Sequence, residues 1–523
     1  MSDQLLTLTL LMPVIGAILL WVVGDDERTI RLTAIGAATV TFALSLAMWG
    51  QFDPAGPEFQ FEQKADWITA IGASWHVGLD GIALVLVLLT TFLVPLIFVV
   101  SNGITDRLRA WFASFLLLEA AVIGVFASLD LLLFYVFFEF SLVPMYLIIG
   151  IWGGEHRRYA AVKFFLYTLL GGLLMLVGVI WLAVQAGSFE YAAIRNIAIS
   201  DTAQLWLFGA FFVAFAVKVP LFPLHTWLPD AHTEAPTGGS VFLAAVLLKM
   251  GGFGLLRYNL PLFPNAAVEL LPWLLGLAVV GILYGAVVAL MQRDIKRLIA
   301  YSSVSHMGFV VLGIVALNLT AASAGVVQMI NHGISTGALF LLVGFLYDRR
   351  HTRQIAAFGG LAKQVPVMAG MWLVVSLSSL ALPGLNGFVG EFPILLGTFQ
   401  QAPVAAVLGA FGAVLAALYL LWAYQRMFHG PLEGADNEHT SDLKAHEVGV
   451  LVPIVALIVA IGVYPQPLYD LVEPSVDRAI APAVAERDAR EAAEQLAGGT
   501  DEAAEPTTGS DGVGSAPVLE GTE

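Results

Sequence analysis

Apolar runs of about 20 residues follow one another from Leu5 to about residue 465, parted by short polar stretches. Each run is long enough as a helix to cross a hydrocarbon core roughly 30 Å thick. The pattern predicts helices over 4–23, 31–50, 78–100, 110–128, 130–150, 163–186, 203–224, 236–257, 271–291, 298–317, 322–346, 366–400, 403–425 and 447–465. The run 366–400 is too long for one straight crossing and is interrupted in its middle. The run from Leu5 lacks an Arg/Lys-rich start and is followed by Gly24-Asp25-Asp26-Glu27 without a small-residue cleavage motif, so it reads as a retained first helix. The expected fold class is all-α: a polytopic membrane protein of about fourteen transmembrane helices.

Proline and glycine divide this series. Predicted helices four to eight (110–257) and nine to thirteen (271–425) form two stretches of five crossings each. An odd number of crossings makes the second stretch enter the membrane the opposite way from the first. In each, the fourth helix carries a break: Pro220 and Pro223 in one, Pro383-Gly384 and Asn386-Gly387 in the other. Paired breaks in inverted halves mark transporter folds with ion sites near mid-membrane. The expected organisation is 1–109, three N-terminal crossings; 110–257, the first repeat; 258–430, the second; 431–470, a last crossing; and 471–523, an acidic tail that is disordered or loosely docked.

Composition sharpens this picture. Hydrophobic residues make up 58% of the chain and charged residues 12%, against roughly 25% charged in a soluble domain. Cysteine is absent, which excludes disulfides, thiolate metal sites, iron–sulfur clusters and cysteine nucleophiles. Much of the net charge of −16 falls after Asp470, where Glu486, Asp488, Glu491, Glu494, Asp501, Glu502 and Glu505 sit among small residues. Sixteen Lys and Arg fall in one set of connections, and only Lys64, Arg195 and Arg257 in the other before the tail. By the positive-inside rule both termini are expected outside. Two basic residues, Lys218 and Lys249, lie within apolar runs.

Those lysines and a few other ionisable residues carry the candidate chemistry. Glu139, amid Leu131–Phe140, is a carboxylate at helix centre, which costs several kcal/mol unless paired, hydrated or protonated. Its alternatives are a structural acid and a proton-carrying one. Lys218 immediately precedes Pro220, where freed carbonyls and a half-helix C-terminus suit a cation; snorkelling to the interface is the competing reading. Lys249 precedes Gly251-Gly252, whose small side chains leave room for water. Glu391 follows the second break, in the first turn or so of a half-helix whose N–H groups would favour an anion. The alternative is a surface helix charge.

His306 and His332, on predicted helices ten and eleven, are either proton-passing imidazoles or helix-bridging donors. His225 and His232 lie beside the first break, just after it; a link to water or a structural turn is preferred over a metal pair. Glu119 either pairs with a neighbour or senses protons at Lys218. No phosphate loop, metal-ligand set or nucleophile constellation is present in the sequence, leaving proton transfer as the available chemistry.

The runs Phe138–Tyr146, Lys218–Pro236, Tyr301–Gly308 and Asn386–Phe392 resemble the proton-conducting antiporter-like family of membrane subunits of NADH:quinone oxidoreductase, respiratory complex I. The resemblance covers about residues 1–465. It implies that Glu139 and Lys218 form a coupling pair, that Lys249 is a central relay lysine, that Glu391 is the terminal acid, and that His306 and His332 lie between them. It also implies a bacterial cytoplasmic-membrane location and a proton-translocating enzyme complex as the setting. The other complex I membrane subunits, especially the neighbouring antiporter-like chains L and N, are the implied partners, besides lipid, protons and water. No nucleic acid, metal or cofactor is expected on this chain; FMN, iron–sulfur clusters and quinone belong to partner subunits. A multi-subunit sodium/proton antiporter, a membrane-bound hydrogenase-type complex and a purely structural scaffold are the competing readings.

Overall fold

The computed structural model describes residues 4–432 and 434–502. The end of the acidic tail, 503–523 with Glu505, lies outside the described residues. Twelve helices among the described residues are long and apolar enough to cross a membrane. Two further apolar helices, Asp201–Lys218 and Pro366–Ser379, stop at breaks. The first continues as the short helix Trp227–Glu234, and the second as Asn386–Gln401. Both breaks fall where proline and glycine predict them, although the first helix ends at Lys218 and not at residue 224.

Acidic and amide side chains start many of these helices. Asp26, Asp80, Asp130, Asp294 and Asn318 each accept from backbone N–H groups in the first turn, meeting donors that a helix start leaves unpaired. Because consecutive helices alternate in direction, these caps fall on two opposite faces.

One face carries a feature the apolar pattern does not predict. Between the second and third crossings, Gln60–Ile68 and Ala73–Leu79 pair as an antiparallel hairpin, which an all-helical reading leaves as loop. It reaches across to a neighbouring connection, since Val77 bridges Ser128, and in that same connection Asp130 bridges Glu190 in turn. The hairpin is too short and too charged at Glu62, Lys64 and Asp66 to register as a spanning segment.

The same face carries the largest correction. The segment expected to be a disordered tail begins as a helix, Gln466–Glu502. Leu471, Val472, Val476, Ile480 and Ala483 are all buried, an apolar stripe at helical spacing that composition averaged over the acidic tail conceals. Burying each aliphatic of this kind stabilises docking by roughly 1.5–3 kcal/mol before ordering costs. Polar contacts fix the register: Gly81 N–H donates to Ser475 Oγ at 3.0 Å, Arg487 to Leu317 O at 2.9 Å, and Arg490 to Asn265 O at 3.3 Å. We call this the tail helix.

The opposite face is built from the basic connections. Arg31 donates to Ser101 O at 3.0 Å, Gly154 N–H to Glu234 O at 2.8 Å, and Arg353 pairs with Asp294 at 3.2 Å.

Candidate proton-transfer site

The first break positions Lys218. Trp227 Nε1 donates to Val217 O at 2.9 Å, so the indole takes a carbonyl that the sequence offers to the lysine. Lys218 Nζ therefore has no hydrogen-bond partner. It is 1% exposed and lies 4.9 Å from the ring centre of Phe138 and 5.7 Å from that of Phe164, where the aromatic faces attract a cation. Gly251 makes this placement possible: a Cβ there would stand 2.6 Å from Phe215 O and 2.8 Å from Val219 N.

Glu139 approaches from a helix that Asp130 caps. Its Oε1 is buried without a partner and lies against Gly172, where a Cβ would stand 1.5 Å away. Each of Glu139 and Lys218 feels the other's charge, yet no ion pair of 4.0 Å or less joins them. They are electrostatic partners across a gap.

The central lysine is held differently. The fully buried helix Thr237–Leu262 contains two π-helical turns, Leu243–Leu247 and Leu255–Asn259. Such turns widen the helix and displace its backbone bonds, and they concentrate at functional sites. Lys249 follows the first and donates to Ala244 O at 2.6 Å, five residues back. Its second partner is His332 Nδ1 at 2.7 Å.

From His332 the polar row continues. The rings of His332 and His306 lie 6.0 Å apart, beside a small cavity lined by both histidines with Gln328, Asn331, Ser335 and Ser378. That lining has the several polar partners a buried water needs. His306 Nδ1 meets Glu391 Oε1 at 2.6 Å, and its Nε2 meets the Tyr419 hydroxyl at 3.2 Å. Gln328 also donates to Glu391 Oε1, at 2.9 Å.

Glu391 departs from expectation in one respect. It is the sixth residue of Asn386–Gln401, beyond the first turn, and its bonded partners are side chains, not the exposed N–H groups of the half-helix. The break instead is tied by Asn386, whose carbonyl accepts from Asn331 at 2.6 Å and whose side chain meets Ser378.

The remaining candidates stand off this row. His225 packs on Phe222 and Tyr284, and His232 stacks flat on Phe340 at 4.7 Å; all four of their ring nitrogens are buried without partners. The two do not converge on a third ligand, and no metal-ligand group occurs among the described residues. Glu119 is buried, and neither oxygen has a hydrogen-bond partner. It pairs with no neighbour and is not joined to Lys218. Sequence reasoning missed Tyr419 and Gln328. Gln328 carried a signal, lying one turn before His332 on the same helix face.

Residues 128–416 match the family described as "NADH:quinone oxidoreductase/Mrp antiporter, TM". The chain is 45% identical over 492 residues to NADH-quinone oxidoreductase subunit M of Rhodobacter capsulatus, covering 91% of this chain and 96% of that protein. Among solved structures it resembles a chain of respiratory complex I from Thermus thermophilus with bound NADH, at TM-score 0.83 and 34% identity, covering 91% of this chain and 99% of that one. A chain of the Mrp complex from Dietzia sp. DQ12-45-1b shares the fold at TM-score 0.81 and 19% identity, over 93% of this chain and 99% of that one.

Proposed function

The chain belongs to the antiporter-like family of membrane subunits of NADH:quinone oxidoreductase, and we propose that its buried polar row carries the protons which that complex translocates. The observation that supports this reading is the contact sequence Lys249, His332, His306, Glu391, four ionisable side chains within an apolar bundle. Isolated structural charges would not need such a sequence, because each would be satisfied by one partner.

Glu139 and Lys218 form the input pair: a change of charge near Glu139 alters how firmly Lys218 holds its proton. Lys249 gives a proton to His332 Nδ1, and His332 releases the one on Nε2 into the polar cavity. From there it reaches His306 and Glu391, with Tyr419 and Gln328 orienting the acceptor. His225 lies beside the first break as a link to water on the basic face.

The two interrupted segments count as crossings in this reading, giving fourteen, of which ten form two inverted five-helix repeats. The basic face is the cytoplasmic one, which puts both termini outside a bacterial cytoplasmic membrane. NADH oxidation, quinone reduction and their cofactors fall to other subunits, and chains L and N are the neighbours. Low identity to the Mrp chain supports a common fold only, whereas 45% identity to a complex I subunit favours a redox-driven setting.

NADH-driven proton pumping and quinone reduction in membranes carrying Lys218→Ala, with assembly checked separately, test the proposal. Both activities are expected to fall by about a hundred-fold in assembled complex. Near-normal rates would make the buried lysine structural.

A further inference from the structure

The helix that carries Glu391 has a defect of its own beyond the break. Pro393 lies inside Asn386–Gln401 and has no N–H, so the carbonyl four residues back, that of Val389, loses the donor that a continuous helix would bring it. The donor comes from another helix. Tyr469, the fourth residue of the tail helix, donates its hydroxyl to Val389 O at 2.7 Å. The bond therefore answers a carbonyl that proline has freed, as a side chain or water commonly does at such a site.

Its place in the sequence gives it a consequence. Val389 stands two residues before Glu391. Gly390, between them, packs on Gln328 so closely that a Cβ has no room beside Gln328 Oε1, and one would stand 3.1 Å from Asn331 Nδ2. Glu391 Oε1 meets His306 Nδ1 at 2.6 Å and accepts from Gln328 at 2.9 Å. Its Oε2 has no hydrogen-bond partner among the described residues, so the carboxylate is fixed by Oε1 and by its own backbone. Three consecutive residues are thus gripped, the first by the tail helix and the next two by the helices that bear Gln328 and His306. Neighbouring Cα atoms keep a spacing of about 3.8 Å, so a shift of the Val389 carbonyl is carried to the carboxylate.

The tail helix does not need this hydroxyl to dock. Its buried stripe and the bonds at Ser475, Arg487 and Arg490 already hold it.

We propose that Tyr469 is a positioning residue for Glu391: by answering the carbonyl that Pro393 frees, it holds the segment 389–391 where the carboxylate meets His306. The inference rests on the relay reading above and adds to it the group that seats the terminal acid from the hairpin face.

The test uses the complete complex in its native membrane, with Tyr469→Phe, with Pro393→Ala added to Tyr469→Phe, and with Glu391→Gln in parallel. Phenylalanine keeps the ring and removes only the hydroxyl, while alanine at 393 returns the N–H that Val389 O lacks. The expected result is assembled complex whose NADH-driven pumping falls about ten-fold in Tyr469→Phe and recovers in the double variant. A tyrosine that merely anchors the tail helix would not be rescued by a change in a different helix. Normal pumping in assembled Tyr469→Phe, failure of that variant to assemble, or no recovery in the double variant assigns Tyr469 to the scaffold and overturns the proposal. Normal pumping in Glu391→Gln would instead bring down the relay itself, so the two failures are told apart.

Discussion

Gly172 decides where a charge can sit. Its missing side chain is the space Glu139 Oε1 occupies, so Gly172→Ala is expected to push the carboxylate away from Lys218. Alanine ordinarily stabilises a helix by about 1 kcal/mol over glycine; assembly should hold while NADH-driven pumping falls roughly ten-fold, and unchanged pumping would show that Glu139 needs no such closeness. At this scale the sequence is most readable where a full charge interrupts an apolar run, as at Glu139, Lys218, Lys249 and Glu391. It is least readable for Tyr419, whose hydroxyl hides in an apolar stretch, and for Lys296, a buried residue at the start of Ile295–Val315 that proximity to a loop disguises as a surface cation. The partners of Glu391 were misjudged for a related reason. A sequence places a residue along its helix, but only packing decides that His306 and Gln328 reach it before the backbone does.

Elements were legible in proportion to their length and hydropathy. The crossings and both breaks follow from apolar runs and proline, whereas the π-helical turns around Lys249 leave no mark in Val246-Leu247-Leu248 that differs from ordinary helix. The tail helix escaped because five buried apolar residues are diluted by acidic neighbours. Its docking is testable at Val472, which is fully buried. Val472→Asp strands a charge against the bundle at a cost of roughly 3 kcal/mol. Trypsin should then cut faster at Arg478, Arg487 and Arg490, while an unchanged digestion pattern would mean that the stripe does not hold the helix. Tyr469, which donates to Val389 O at 2.7 Å, ties the same helix to the one bearing Glu391.

For the molecule as a whole, the hairpin face carries a pH-dependent cluster of charges. Glu190 meets Lys64 at 2.9 Å, His76 at 2.5 Å, and Ser74; Glu62 lies 3.1 Å from His76, and Asp130 accepts from Ser74. Burial opposes charge on Glu190, but hydrogen bonds from His76, Ser74 and Lys64 outweigh it and bring the carboxyl down to about 2. Its contribution is present above the ordinary 4.5 and is lost as pH falls toward 2. Burial likewise opposes charge on His76, and Glu190 and Glu62 more than restore it, raising the imidazole above 6.5. That contribution is complete below 6.5 and fades as pH climbs through the raised value. Backbone amides of 60–79 should therefore exchange most slowly, after correction for intrinsic rates, between 4.5 and 6.5. His76→Gln should flatten the alkaline side of that profile; if it leaves the profile unaltered, the imidazole does not hold the hairpin.

Between Lys218 and Lys249 no hydrogen bond runs, and Lys218 Nζ faces the rings of Phe138 and Phe164 with no hydrogen-bond partner. In electrical terms the proposed relay is a conductor with a spark gap. An unbroken wire across the membrane would discharge the very battery that respiration charges, whereas in the proposed relay a gap bridged only when a neighbouring charge shifts would leak nothing at rest. Idle complexes can then remain in an energised membrane without draining it.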